Sequence, residues 1–144
     1  MGVENIILDT EAYLHGVFLH EVFACLLVFP YIAYLYVLMR FRTFLQLNHR
    51  IFLIMPLTFL LLGIALVSGI FLLAMRGFVY DTKIILMLLV FGILLFGEIY
   101  RLKILRKAKI SRQAMQRYVR KCLMMYLTFF FLHIALIAWC KIFP

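Results

Sequence analysis

Residues 51–75, IFLIMPLTFLLLGIALVSGIFLLAM, run for 25 positions without one charged side chain. A helix rises about 1.5 Å per residue, so this stretch can cross the roughly 30 Å hydrocarbon core of a bilayer. It shows none of the two-residue alternation of a strand, and a membrane barrel needs shorter, alternating segments. The stretch reads as a membrane-spanning helix, and its neighbours can be judged against it.

Three more apolar segments accompany it, over about 16–39, 84–104 and 122–143. The 144 residues are 67% hydrophobic and 15% charged, with a mean hydropathy of +1.10. A soluble domain is about 45–50% apolar and 25% charged, so a soluble enzyme or a secreted scaffold is excluded. Cys25, Cys122 and Cys140 form no CxxC pair, and their odd number speaks against a disulfide framework. They read as small buried hydrophobes. With no internal repeat and no linker, residues 1–144 form one domain. Its expected class is an all-α integral membrane protein, a four-helix up-and-down bundle with short connectors.

The net charge of +9 would suggest nucleic acid in a soluble protein. Here the cations crowd into connectors: three Lys/Arg lie between Arg40 and Arg50, nine between Arg101 and Lys121, and only Arg76, Lys83 and Lys141 elsewhere. Twelve against three is a positive-inside pattern. It orients both termini outward, in a bacterial cytoplasmic (inner) membrane, with the lipid bilayer and no nucleic acid as partner. The long connector RLKILRKAKISRQAMQRYVRK is expected to prolong the third helix, with Ser111 capping the fourth. The first 15 residues hold Glu4, Asp9 and Glu11 but no Lys or Arg, unlike a signal peptide, so the first span is expected to persist.

Ionisable groups at membrane depth are costly and mark functional sites by default. His20 and Glu21 lie about one turn into the first span, Lys83 at the outer mouth of the third, and His133 deep in the fourth. Glu98, one turn before Arg101, is expected to snorkel to the inner surface. His15 and His49 read as solvated. Histidines inside an apolar bundle suit haem, whose iron takes neutral imidazole and whose macrocycle needs an apolar slot between helices. Lys83 could then hold a carboxylate such as a propionate. Copper is the alternative, although the methionines, Met55, Met75, Met87, Met124 and Met125 among them, are scattered like core filler.

Four stretches carry a resemblance that covers nearly the whole chain: LHEVFACLLVFPYIAYLYVLMRF (19–41), IMPLTFLLLG (54–63), YDTKIILMLLV (80–90) and AWCKIFP (138–144). In this order they resemble the small four-helix membrane protoporphyrinogen IX oxidases of the HemJ type, related in pattern to copper-resistance D-like domains. The chain departs from that pattern where it lacks the Trp and Gly after the histidine and the Asn-Glu pair entering the fourth helix. The resemblance implies haem b, His20 as the ligand of the haem iron, Lys83 as the residue serving catalysis, and a porphyrin substrate oxidised in haem biosynthesis. His133 lies outside the pattern. It is the least poor second ligand, at about 15 Å from its helix end against about 6 Å for His20. Aromatics such as Phe23, Tyr31, Tyr34 and Phe91 are expected to line a sideways entry for the macrocycle.

The competing reading is a non-enzymatic bundle: a copper-handling module, or an assembly subunit that forms homo-oligomers or joins a larger membrane complex. Small residues would form its packing faces, either Ala65, Ser68 and Gly69 or Gly92 and Gly97.

Overall fold

A computed structural model describes the backbone of residues 2–108 and 111–142, and side chains within that range from Thr10 onward. It contains α1 (Gly2–Leu26), α2 (Val28–Arg40), α3 (Phe44–Met75), α4 (Thr82–Ala108) and α5 (Arg112–Ile142), and among the described residues no strand. Four of the resulting segments are long and apolar enough to cross a membrane: Thr10–Arg40, Phe44–Met75, Thr82–Ala108 and Arg112–Ile142. The protein is an all-α, four-span membrane bundle.

The first span differs from the continuous helix expected over 16–39. It begins well before Gly16 and is interrupted at Leu27. Pro30 accounts for the interruption: it has no N–H to offer the Leu26 carbonyl, and its ring crowds that same group. Pro56 in α3 is accommodated without a break.

Each turn has a local cause. Thr43 caps α3 by accepting from the Gln46 amide at 3.3 Å. At the other end of α3, the Gly77 amide donates to Ala74 and the Phe78 amide to Leu73, both at 3.0 Å, which closes a Schellman motif. Gly77 occupies its left-handed position, at φ 65°, where glycine carries no Cβ penalty. Asp81 initiates α4 by accepting from the Thr82 amide at 2.7 Å, which places Lys83 in the first turn. Ser111 caps α5 as expected, accepting from the Ala114 amide at 3.1 Å. The third span continues into its connector as far as Ala108, also as expected.

Packing joins α1 to α3, α2 to both α3 and α5, and α4 to α5, whereas α3 and α4 meet only sparingly. The bundle is therefore open along one side. The start of the first span, the end of α3, the start of α4 and the end of α5 gather at one end around a shared cavity. That convergence establishes the up-and-down order.

Burial is inverted relative to a soluble protein. Phe52, Phe96 and Met39 are 71%, 69% and 68% exposed, while Arg101, Glu98, Thr58, Tyr31, Tyr34, Tyr118 and Tyr126 are buried. Apolar surface on this scale belongs against lipid. Polar groups that cannot face hydrocarbon turn inward, where neighbouring helices offer partners.

Candidate functional site

The shared cavity has a volume of about 310 Å³ and is walled by α1, α3, α4 and α5. His20 and Glu21 enter it from α1, Arg76 from the end of α3, Lys83 from α4, and His133 and Lys141 from α5. The remaining wall is largely aliphatic, with Met87 and Phe91 from α4. Three cations face one carboxylate, so the lining favours an anionic group. His20, Lys83 and His133, far apart in sequence, thus border one space.

The hydrogen bonds of the two histidines determine which ring nitrogens carry protons. Ser68 Oγ lies 2.8 Å from the Ile64 carbonyl, which can only accept, so the serine proton points there. His20 Nδ1, 2.7 Å from the same Oγ, is then the donor to it. This leaves Nε2 of His20 with its lone pair. His133 has the opposite tautomer: Nε2 donates to the Ala24 carbonyl at 2.8 Å, and Nδ1 is buried without a hydrogen-bond partner among the described residues. Ala24 is one turn beyond His20, so the imidazoles are anchored to α1 about 6 Å apart along its axis. That is a smaller offset than the separation by depth in the sequence suggested.

Gly69 lies against the His20 ring, at a distance that would also admit a Cβ. A Cβ added there would lie 3.5 Å from Cε1 of the His20 ring. Ser68 and Gly69 therefore take part in packing within the chain. Gly97 does likewise, since its missing Cβ leaves room for the Phe129 ring.

Two expectations require correction. Glu98 does not snorkel: it is fully buried, its Oε2 accepting from Arg101 Nε at 3.2 Å and from the Tyr126 hydroxyl at 3.3 Å. Arg101 is itself 1% exposed and lies over the Tyr34 ring at 5.6 Å, so it leaves the connector and joins the core. Tyr126 and Tyr34 partner the pair within the bundle, while Glu98 Oε1 and Arg101 Nη2 have no hydrogen-bond partner among the described residues. Second, Tyr31 and Tyr34 do not line a lateral entry. Both are fully buried, with Tyr34 stacked on Tyr126 at 4.4 Å and hydrogen-bonded to Thr58 at 3.2 Å. Of the four aromatics expected at the entry, Phe91 lines the cavity.

A second polar centre thus occupies the other half of the bundle, built from all four spans: Tyr34, Thr58, Glu98, Arg101 and Tyr126, with Tyr118 beside Arg101 and Cys122. Tyr31 stands between the two centres, its ring 6.2 Å from that of Tyr126 and 6.3 Å from that of His133. Sequence reasoning missed this centre, although a signal was present. Tyr118, Cys122, Tyr126, Phe129 and His133 repeat at three- and four-residue intervals and mark one buried stripe of α5.

His15 and His49 are exposed, as expected for solvated side chains. Cys122 is buried, Cys140 half-buried and Cys25 exposed, and all three are free thiols. Among the described residues no group of three or more His, Cys, Asp or Glu side chains is placed to hold a metal ion. Compared with known proteins, the chain gives no match to a family model, a curated protein or a solved structure.

Proposed function

We propose that the shared cavity binds haem b through His20 and that the chain is a membrane redox protein acting on a porphyrinogen. The observation that carries this reading is the shared cavity, which joins an oriented imidazole to an apolar wall and a cationic rim. A metal-binding histidine usually donates its second ring N–H to a fixed acceptor, which sets tautomer and orientation. Ser68 does this for His20. Lys83, Arg76 and Lys141 would pair with carboxylates on one edge of a ligand whose body is apolar.

The fit has a definite limit in size. Ligand pockets span about 300–1,000 Å³, and this cavity of about 310 Å³ lies at the lower end. A flat macrocycle would occupy it edge-on, with the remainder in the gap between α3 and α4, where the two helices meet sparingly. Bound haem would supply one-electron transfer. The residues of the chain bind and orient the ring, exclude water with Phe91 and the aliphatic wall, and fix the carboxylate edge at the outer mouth. His133, held to the Ala24 carbonyl, closes the cavity floor and ties α5 to α1.

In this reading the substrate is protoporphyrinogen IX, oxidised to protoporphyrin IX, and Lys83 holds a propionate of substrate or haem. Rescue of a strain lacking every protoporphyrinogen oxidase tests the assignment. Growth on the wild-type chain, lost with Lys83→Met, is the expected result. An inserted, abundant wild-type chain that gives no growth contradicts it.

One observation favours the second reading, a non-enzymatic bundle. Both histidines already make hydrogen bonds that join helices, His20 to α3 and His133 to α1. In that case they are structural pins, and a copper-handling version would draw on the same two imidazoles. A colourless purified protein that melts earlier with either histidine replaced supports it.

A further inference from the structure

A groove of about 830 Å³ runs between α4 and α5 on the surface that faces lipid. Its walls are apolar, with Ile93, Phe96 and Met124 among them, and its end nearest the α4–α5 connector carries Arg120 and Lys121. Gly92 opens the floor, since a Cβ built there meets nothing within 4 Å. We propose that this groove binds one anionic phospholipid, its phosphate on Arg120 and Lys121 and an acyl chain along the floor.

Length and charge both favour that occupant. From Ile104 to Leu89 on α4 the groove covers 15 residues, or about 22 Å of helix, and from Arg120 to Phe129 on α5 about 14 Å. One leaflet of hydrocarbon is about 15 Å deep. The groove thus matches a single acyl chain running from the headgroup level towards the midplane. The two cations are exposed and uncompensated: among the described residues the only salt bridge joins Glu98 and Arg101. Basic pockets between spanning helices are established sites for anionic lipid headgroups. Its basic end lies at the opposite end of the bundle from the mouth of the His20 cavity, and lipid binding there does not depend on what that cavity holds.

Native mass spectrometry of the full chain in detergent tests the proposal, with phosphatidylglycerol and phosphatidylcholine of matched chains as probes. At about a fivefold gain in affinity per cation near the headgroups, phosphatidylglycerol should bind roughly thirtyfold more tightly. Arg120→Gln/Lys121→Gln should abolish that preference, whereas Arg112→Gln/Arg117→Gln, equal in charge but outside the groove, should retain it. Gly92→Leu, whose side chain enters open space, should weaken both lipids without lowering the melting temperature. Equal affinity of the wild type for the two lipids, equal loss in both charge variants, or unaltered binding by Gly92→Leu would each overturn the proposal.

Discussion

His20 Nδ1 lies 2.7 Å from Ser68 Oγ, and the serine proton is committed to the Ile64 carbonyl at 2.8 Å. This single relationship fixes the imidazole on α1 against α3 and leaves Nε2 free for a ligand. Ser68→Ala should therefore loosen the ring without removing it. Haem affinity should fall by about 10- to 100-fold, as for other partners that orient a metal ligand, while helix content by circular dichroism stays constant. A haem titration with unchanged affinity would show that Ser68 does not orient the ligand.

The buried Glu98–Arg101 pair makes a stability prediction of the opposite kind. Arg101→Met leaves a carboxylate buried with the Tyr126 hydroxyl as its remaining partner, a loss on the order of 3–5 kcal/mol. Glu98→Leu/Arg101→Met removes both charges and should recover most of that loss. Thermal unfolding of the wild type, the single and the double variant in one detergent measures the difference. Equal destabilisation by the single and the double variant would mean that the pair is not electrostatically coupled.

Two glycines on α4 should respond differently to the same change. Gly97→Ala drives a Cβ into the Phe129 ring at the α4–α5 interface, at a cost of about 1–3 kcal/mol. Gly92→Ala meets nothing and should be neutral or gain up to about 1 kcal/mol of helix stability. Phe129→Leu should relieve much of the Gly97→Ala defect. Melting temperatures that fall alike for both glycine variants would contradict the packing described here.

Orientation follows from the twelve-to-three distribution of Lys and Arg, even with Arg101 withdrawn into the core. Both ends of the chain should face outward. A reporter active only in the cytoplasm, fused at the C-terminus, should be silent, and strong activity would reverse the assignment.

The four spans were legible because long uncharged runs have few other uses in a chain of this length. The caps at Ser111 and the extension of α4 were legible for local reasons. The break at Leu27 was not anticipated, because both prolines present the same local chemistry and only Pro30 interrupts its helix. The site divides in the same way. His20, Lys83 and His133 stood out as ionisable residues in apolar runs, and the fold gathers them at one cavity. Arg76 and Lys141 did not stand out, since a cation at the end of a span is ordinary and only the up-and-down packing brings them to that rim. The second centre was obscured for another reason: Arg101 and Tyr118 lie in the basic stretch 101–121, which read as a connector and not as core.

His20 is the residue proposed to hold haem, and the absorption spectrum of the detergent-purified chain tests that role directly. The wild type, supplied with haem during expression, should show a Soret band and reduced α and β bands. His20→Ala should lose them, and His133→Phe, which keeps an aromatic ring packed against Tyr31, should retain them in altered form. A wild type without a Soret band, or a His20→Ala variant that keeps full haem, would contradict the account.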